Sequence, residues 1–379
     1  MKALLVPDSF KGTLSSVEVS AILGERILSH FPAAEVVSLP VADGGEGSVD
    51  CFLTALGGER VTLPVEGPFF EETEAFYGLL NGGRTAVIEM AAAAGLPLVE
   101  GRRDPLAATT YGVGRLLRDA LRRGAREILL CLGGSATCDF GCGAAAALGI
   151  TFYDGEGKSF IPTGGTLSRI DRIERSEDVL GGVPLTLMCD VENPVYGECG
   201  AAYVYAPQKG ASPEEVRLLD EGLRHVTAIA HRDLGCDVSS LVGGGAAGAM
   251  AGGLAAFFGA TLRRGIEAVL DTVGFDRHLA GADLVFTGEG KMDSQSLSGK
   301  VVSGVAARAK RAGVPVIAIV GGAEGDLSAL YEAGISAVFP INRLPEDFSV
   351  SRRKSAENLA ATANDVLRLL RMGGKNDAH

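Results

Sequence analysis

The sequence contains no tryptophan, and its aromatic fraction is only 6%. Proteins that bind single-stranded nucleic acid stack bases on aromatic side chains, so this scarcity argues against that class. Basic residues are also in deficit: 35 Lys and Arg stand against 47 Asp and Glu, giving a formal net charge of −12. Because nucleic acids select basic surfaces, we expect no nucleic-acid partner. An anionic ligand would need a local positive site against this unfavourable overall field.

Cysteine is too scattered to suggest a metal site or a disulfide framework. The seven cysteines include no C-x-x-C pair, and Cys138 and Cys142, four residues apart, have no histidine nearby. This pattern predicts reduced, mostly buried thiols in a cytosolic protein. A cytoplasmic location is also expected because the N-terminal stretch MKALLVPDSF reaches Pro7 and Asp8 before an apolar export signal can develop.

A convincing membrane segment is missing as well. The stretch from Val238 to Leu262 carries no charge, but it consists mostly of glycine and alanine. These residues drive membrane insertion weakly compared with leucine or isoleucine. We therefore expect tightly packed backbone in a soluble protein, with some helix in the second half of the stretch, and no membrane partner.

Glycine is what the sequence has in excess. It accounts for 53 of the 379 residues, about twice the average usage of about 7%. No collagen-like triplet accompanies it, so these glycines are expected to serve loops.

The order of predicted elements indicates an α/β protein. The chain opens with a strand, a helix that starts at a capping box formed by Ser15 and Glu18, and a second strand. Strands and helices alternate again from residue 282 to the end, which indicates a parallel sheet with right-handed crossovers. Between these parts, residues 59–90 predict an antiparallel meander. A long helix is predicted to begin at Ser212 and Pro213.

These patterns predict two α/β domains. Residues 1–60 and 280–379 form a Rossmann- or flavodoxin-like domain whose parallel sheet contains strands from both chain ends. Residues 61–279 form an inserted mixed α/β domain. We expect the active site in the cleft between the two domains.

Four loops share one design, in which small residues and carboxylates follow an apolar strand. They are PDSFKG (7–12), ADGGEG (42–47), GGSATCDFGCG (133–143) and GEGKMDSQ (288–295), and CDVENP (189–194) is similar with less glycine. Ligands of open α/β sheets bind at the carboxyl ends of the strands. Glycine lets backbone N–H groups approach phosphate oxygens, carboxylates hold Mg²⁺, and lysine supplies a point charge. The loops therefore suit a nucleotide phosphate with a metal.

None of the loops is a standard nucleotide fingerprint. There is no Walker A sequence, and GGGAAG (243–248) matches the dinucleotide pattern in spelling only. Taken singly, a glycine-rich loop is more often a tight turn, Asp8 or Asp43 could cap the next helix, and Asp190 could be a turn residue. The prediction depends on the coincidence of several such loops at strand ends.

Eight motifs occur in the order typical of the type-I glycerate kinases, and the chain resembles that family over nearly its whole length. The motifs are PDSFKG, ADGGEG, IEMA, TTYGVG, GGSAT followed by an aspartate, CDVENP, APQKGA and GEGKMDSQ. The resemblance implies Mg-ATP-dependent phosphorylation of D-glycerate at its 2-hydroxyl, which gives 2-phosphoglycerate. The residues themselves do not distinguish the 2-hydroxyl from the 3-hydroxyl. Cys138, Phe140 and Glu192 stand where the family more often has Asn, Gly and Asp.

Site residues follow as a hypothesis from these loops and the resemblance. Expected contacts to ATP come from Gly133, Gly134, Ser135, Thr137 and Lys291. Expected contacts to glycerate come from Asp8, Ser9, Lys11, Glu289 and Asp293. Glu289 and Asp293 could alternatively serve the metal, and either Lys11 or Lys291 could neutralise the transferred phosphoryl group or the glycerate carboxylate.

The catalytic and metal assignments concern four residues. Asp190 is the first choice for the base that orients the substrate hydroxyl, and Asp43 is the second. Lys11 is the expected catalytic cation. Asp139 and Asp190 are candidate Mg²⁺ ligands, although Asp139 could instead fix its own loop.

Three other functions stay open. The enzyme could phosphorylate the 3-hydroxyl or a related hydroxy acid. It could be a non-catalytic regulator that binds a ligand, or an NAD-dependent oxidoreductase acting on a hydroxy acid. The expected partners are D-glycerate and ATP, and a homodimer is left open.

Overall fold

The structure is a computed structural model that describes residues 1–10, 12–39, 41, 47–175, 178–293, 301–344 and 346–373. Among these residues the strands are β1 (Lys2–Pro7), β2 (Glu35–Ser38), β3 (Glu59–Glu66), β4 (Glu72–Leu80), β5 (Thr85–Glu89), β6 (Glu127–Cys131), β7 (Ile150–Tyr153), β8 (Ser159–Phe160), β9 (Arg172–Arg175), β10 (Leu185–Met188), β11 (Thr261–Arg263), β12 (Leu284–Gly288), β13 (Lys291–Met292), β14 (Val316–Val320), β15 (Gly322–Ala323) and β16 (Ala337–Pro340).

The α-helices of the same residues are α1 (Ser16–His30), α2 (Ser48–Leu56), α3 (Ala91–Ala94), α4 (Tyr111–Arg122), α5 (Cys142–Ala147), α6 (Ala201–Tyr205), α7 (Pro213–Leu234), α8 (Ala246–Phe258), α9 (Gly265–Thr272), α10 (Phe275–Leu279), α11 (Val301–Ala312), α12 (Ser328–Ala333), α13 (Phe348–Ser351) and α14 (Ser355–Gly373). In the described part of the chain, no helix combines the length and apolarity that crossing a membrane requires.

The chain divides into two compact units. Unit 1 consists of Met1–Asp43 and Gly265–His379, and unit 2 consists of Gly44–Arg264. Helix α2 is thus part of unit 2, and α9 and α10 are part of unit 1. The domain borders at residues 60 and 280 stay a prediction.

Unit 1 contains a five-stranded parallel sheet in the order β16-β14-β12-β1-β2. Strand β1 from the start of the chain pairs with β12 from its last third, so the predicted sheet built from both chain ends is confirmed. Four consecutive residues of β1, Ala3 to Val6, are fully buried. Such a continuous apolar run is typical of a central parallel strand covered on both faces.

Helix α1 covers this sheet and begins as the sequence predicts. The Ser15 hydroxyl accepts a hydrogen bond from the Glu18 N–H at 3.2 Å, and the Glu18 carboxylate accepts one from the Ser15 N–H at 2.8 Å. This reciprocal pair satisfies two backbone donors that a helix start leaves open. The apolar face of α1, including Val19, Leu23 and Ile27, packs in the core of unit 1.

Unit 2 contains a six-stranded mixed sheet in the order β11-β10-β6-β5-β4-β3. The β3–β4 and β4–β5 pairs are antiparallel, which confirms the predicted meander. Strands β5, β6, β10 and β11 are parallel, so their carboxyl ends lie at one edge of the sheet. A small antiparallel sheet, β8-β7-β9, belongs to the same unit.

The two helices predicted in unit 2 also form. Helix α7 has a capping box between Ser212 and Glu215, with Pro213 at its first position. Helix α8 occupies the second half of the uncharged stretch and is buried along almost its whole length. Among the described cysteines no disulfide bond is formed, and Cys138 and Cys142 are buried whereas Cys199 is exposed.

Candidate active site

Unit 1 has a cavity of about 610 Å³ at the carboxyl ends of its parallel strands. Its wall includes residues that follow four strands: Asp8 and Ser9 after β1, Glu289 and Gly290 after β12, Gly321 after β14, and Asn342 after β16. This edge is where open α/β sheets bind ligands. The structure thus brings together Asp8, Ser9, Glu289 and Lys291 from two of the predicted loops.

Gly288 at the end of β12 and Gly321 after β14 are required by close packing of the main chain. A Cβ on Gly288 would lie 1.9 Å from the Ile319 carbonyl oxygen, and one on Gly321 would lie 2.2 Å from the Gly290 carbonyl oxygen. The Gly321 N–H donates to the Glu289 carbonyl oxygen at 3.0 Å. These contacts hold the ends of β12 and β14 together beneath the cavity.

Among the described residues, the charged groups around the cavity are mainly acidic. Asp8 and Glu289 are both buried. Lys291 is exposed, and its Nζ lies 2.6 Å from the Glu324 carboxylate and 4.0 Å from that of Asp293. The hydrogen bond and charge of Glu324 raise the pKa of Lys291. Lys291 therefore shares its charge with neighbouring carboxylates, and Asp293 is not among the described residues that line the cavity.

The loop 133–143 of unit 2 follows β6 and is tied to the chain around residue 95. The Leu96 N–H donates to the Gly134 carbonyl oxygen at 2.9 Å, and the Ala136 N–H donates to the Ala94 carbonyl oxygen at 2.9 Å. In the part of the chain that the structure describes, the N–H groups of Gly133, Gly134 and Ser135 donate to no protein acceptor. Gly133 is half-buried and Gly134 is exposed, so a ligand could accept from the main chain here.

Asp139 lies inside this loop and is fully buried. Its carboxylate accepts hydrogen bonds from the Thr110 N–H and hydroxyl, both at 2.8 Å, from the Gly141 N–H at 3.1 Å and from the Gly143 N–H at 3.2 Å. Burial raises the pKa of Asp139, and these hydrogen bonds act in the opposite direction. The contacts favour the alternative in which Asp139 fixes the loop.

Lys209 is a residue that the sequence analysis did not assign, although it is the cation of the APQKGA motif. Its side chain is buried, and Nζ donates to the Ser135 hydroxyl oxygen at 2.8 Å and to the Thr137 carbonyl oxygen at 2.7 Å. Burial lowers the pKa of Lys209, while Cys138 and Asp139 act in the opposite direction. A cation thus lies directly beneath the glycine-rich loop.

The start of helix α8 braces the other side of the loop. Residues 247–249 have φ values of 54°, 64° and 65°, so three consecutive residues are left-handed. The Phe140 N–H donates to the Gly248 carbonyl oxygen at 3.2 Å. A Cβ on Gly248 would lie 2.0 Å from the Thr137 carbonyl oxygen, and one on Gly253 would lie 1.7 Å from the Phe140 carbonyl oxygen. The GGGAAG stretch is therefore a surface for close backbone contact.

Asp190 follows β10, the strand that pairs with β6, and it is exposed. It therefore lies at the same edge of the sheet as the loop 133–143. The loop after it is anchored by Asn193, whose amide donates to the Cys199 carbonyl oxygen at 2.7 Å and accepts from the Tyr205 hydroxyl at 2.6 Å.

Two predicted site residues, Lys11 and Asp43, lie outside the described residues. Glu89, in the IEMA motif, was not assigned from the sequence. Its carboxylate lies at the end of β5 and accepts from the Gly47 N–H at 3.2 Å and the Val49 N–H at 2.7 Å. Glu89 thereby caps the start of α2, which follows the ADGGEG motif.

Comparisons with known proteins agree with the resemblance seen in the sequence. The model of the glycerate kinase family matches residues 3–371. A glycerate kinase from Bacillus cereus is 44% identical over 97% of both chains, and the glycerate 2-kinase of Escherichia coli K12 is 39% identical over 99% of this chain and 100% of its own. A crystal structure of a provisionally assigned glycerate kinase 2 from Salmonella typhimurium LT2 has 42% identity, covers 99% of each chain and superposes with a TM-score of 0.90. The chain therefore belongs to the glycerate kinase family and is a kinase enzyme.

Proposed function

We propose that the chain transfers the terminal phosphoryl group of Mg-ATP to the 2-hydroxyl of D-glycerate. Phosphoryl transfer depends mainly on placement and charge neutralisation, and little on covalent chemistry by the protein. The observation that carries the proposal is the loop of unit 2, in which the N–H groups of residues 133–135 donate to no acceptor of the described chain and the buried Lys209 ammonium donates to the Ser135 hydroxyl. The name of the Escherichia coli relative, glycerate 2-kinase, supports the choice of the 2-hydroxyl.

The phosphates of ATP bind the loop through Gly133, Gly134 and Ser135. The unused backbone donors of these residues suit anionic oxygens. The hydroxyl of Thr137 is buried, and among the described residues it has no hydrogen-bond partner, which fits a ligand that supplies one. Lys291 of unit 1 stays an additional candidate for ATP.

The acceptor binds in the cavity of unit 1. The carboxylates of Asp8 and Glu289 can accept hydrogen bonds from the glycerate hydroxyls, and Ser9 can donate to its carboxylate. The acidic character of the wall means that the glycerate carboxylate needs a cation, and Lys11 and Lys291 are the candidates. Asp293 is a more distant candidate beside Lys291.

Asp190 is the base that orients the substrate hydroxyl, with Asp43 as the second choice. Exposed at the end of β10, it is a carboxylate beside the phosphate loop. Mg²⁺ prefers one or two carboxylates together with substrate phosphates, a donor set that Asp190 fits. When bound, the metal neutralises charge on the phosphates. Asp139 is less suited to hold the metal because its oxygens already accept four hydrogen bonds.

Incubation of the purified protein with ATP, Mg²⁺ and D-glycerate tests the proposal, with 2- and 3-phosphoglycerate determined separately in each sample. We expect ADP and 2-phosphoglycerate in equal amounts. Formation of 3-phosphoglycerate would correct the regiochemistry, and no phosphorylated glycerate would overturn the proposal. A parallel thermal shift with Mg-ATP and with NADH separates a kinase from an oxidoreductase.

The homodimer and the cytoplasmic location stay predictions. Light scattering of the purified protein tests the homodimer.

A further inference from the structure

We propose that Lys209 is a positioning residue for nucleotide binding, because its buried ammonium turns the Ser135 hydroxyl into an obligatory hydrogen-bond donor toward a phosphoryl oxygen. This inference rests on the proposed function, in which the loop at Ser135 binds the phosphates of ATP. It assigns to the APQKGA motif a role that acts through the glycine-rich loop.

The direction of the hydrogen bonds follows from the chemistry of the two groups. A lysine ammonium has three donors and no acceptor. At a distance of 2.8 Å from Lys209 Nζ, the Ser135 oxygen must therefore accept. Its own hydroxyl proton is directed elsewhere, and in the described part of the chain it meets no protein acceptor. Ser135 is 8% exposed and directly follows the exposed Gly134, so a ligand bound at Gly134 can receive this proton as a hydrogen bond.

The Lys209 ammonium also forms no direct ion pair with a described carboxylate, in contrast to Arg308, the other buried cation among the described residues. Arg308 is 5% exposed and lies within 3.2 Å of the carboxylates of Glu267, Asp271 and Asp276. Lys209 is 2% exposed, and no carboxylate of a described residue forms an ion pair with it. Asp139 acts on it electrostatically but is already bound by four donors. Burying a charge is costly unless it is paired, and an anionic ligand at the loop would supply the missing partner.

The turn that carries Lys209 is fixed independently of the loop. Gly210 has a φ of +103°, and a Cβ there would lie 2.6 Å from the Arg103 carbonyl oxygen. The Arg103 guanidinium donates to the Gln208 carbonyl oxygen at 3.3 Å. Lys209 is thus held from both sides, and its ammonium reaches the loop from a braced position.

The test compares Ser135→Ala, Ser135→Thr, Lys209→Met and the double variant Lys209→Met/Ser135→Ala with the wild type. Loss of a hydrogen bond to a charged group should raise KM for ATP roughly 10-fold in Ser135→Ala and Lys209→Met. Ser135→Thr keeps the hydroxyl and should stay within about 3-fold of the wild type. Both single changes remove the hydrogen bond between Lys209 and Ser135. The double variant should therefore be roughly as impaired as one of them. KM for glycerate should change little in all four.

Arg308→Lys is the matched control for disturbing a buried cation. It should lower the midpoint of thermal unfolding without changing KM for ATP. If Lys209→Met does not fold, the pair Ser135→Ala and Ser135→Thr carries the test by itself. Equal KM for ATP in Ser135→Ala and the wild type, additive effects in the double variant, or a change confined to KM for glycerate would each overturn the inference.

Calorimetric titration with ATP separates this inference from the proposed function, because binding needs no turnover. A wild type that binds ATP but does not phosphorylate glycerate contradicts only the proposed reaction. Wild-type phosphorylation of glycerate with unchanged ATP affinity in Lys209→Met and Ser135→Ala contradicts only the role of Lys209.

Discussion

Asp190 combines the features expected of a catalytic carboxylate: it is exposed, it follows a parallel strand, and that strand adjoins the one that leads into the loop 133–143. Replacing it with asparagine keeps the size of the side chain and removes its ability to take a proton. We expect Asp190→Asn to lower kcat by a factor on the order of 10²–10⁴ with a modest change in KM. Steady-state kinetics with varied ATP and varied glycerate measures both.

Glu192 offers a matched control in the same loop. Its carboxylate is exposed and lies 3.2 Å from the Arg264 guanidinium, so Glu192→Gln should leave kcat within about 2-fold because surface ion pairs contribute little. Near-normal turnover of Asp190→Asn would remove Asp190 from the role of base and would leave Asp43 as the candidate.

At the scale of single residues, sequence reasoning predicted local patterns but not contacts between distant parts of the chain. The loops at Asp8, Ser135 and Glu289 could be found because small residues and acids after an apolar strand form a local pattern. Lys209 could not be placed, since its partner Ser135 is 74 residues away in the chain. The choice between metal ligand and loop anchor for Asp139 needed the donors of Thr110, which come from another motif.

The left-handed start of helix α8 makes a sharp prediction at the level of one element. An alanine in the left-handed region costs about 1–2 kcal/mol relative to a right-handed one, a cost that glycine largely avoids. Ala249 has a φ of 65° and a fully buried methyl group. In Ala249→Gly the relief of strain should therefore roughly offset the loss of the methyl, and the free energy of unfolding should stay within about 1 kcal/mol of the wild type. Urea unfolding followed by circular dichroism measures the change.

Two further variants of α8 serve as controls for Ala249→Gly. Ala255 lies in the regular part of the helix, where replacement by glycine should lower stability by about 1 kcal/mol. Gly248→Ala should be far more damaging, since its Cβ would lie 2.0 Å from the Thr137 carbonyl oxygen. Because Ala255 is buried as well, a loss of stability in Ala249→Gly as large as that in Ala255→Gly would show that the left-handed turn is not strained.

The capping box of α1 predicts a pH dependence. Hydrogen bonds from the Ser15 N–H and hydroxyl hold the pKa of Glu18 below its ordinary value. Its contribution to stability is therefore present above the ordinary carboxyl pKa and is lost as the pH falls through the lowered value. Glu18→Gln should cost about 0.5 kcal/mol at pH 7, because the carboxylate is exposed, and the difference from the wild type should shrink below about pH 4.

Glu215 in the matching box of α7 should behave in the same way, because its pKa is lowered by the same contacts from Ser212. Urea unfolding of Glu18→Gln and Glu215→Gln at several pH values tests both predictions. A constant difference across this range would contradict the assigned role of the carboxylates.

The elements themselves were predicted well where the pattern is local. The capping boxes at Ser15 and Ser212, the meander over residues 59–90 and the alternation near the chain end all appear in the structure. Helix α8 was harder to predict because glycine and alanine on all sides give no apolar face with a period. Its left-handed turn depends on contacts with the loop at Phe140, which the local sequence does not encode.

At the scale of the whole molecule, the two units differ in chain continuity. Unit 2 is one uninterrupted segment with its own cores, which include Leu130 and Val226, and unit 1 is made of two segments. A fragment of residues 44–264 should therefore fold cooperatively by itself. The fragment 265–379 should not, since its strand β12 lacks β1. Circular dichroism and urea unfolding of both fragments test this, and an unstructured 44–264 fragment would contradict it.

Because β1 and β12 are far apart in the chain, β1 is synthesised long before the strand it pairs with. Val6 and Thr287, which share a hydrogen bond of 2.9 Å, are 281 residues apart. At roughly 5–20 residues per second, the ribosome needs tens of seconds to deliver the second strand after the first. Strand β1, which is apolar from Ala3 to Pro7, therefore emerges before its neighbour β12 and waits for it. Chaperone contact with this waiting segment would guard it against aggregation.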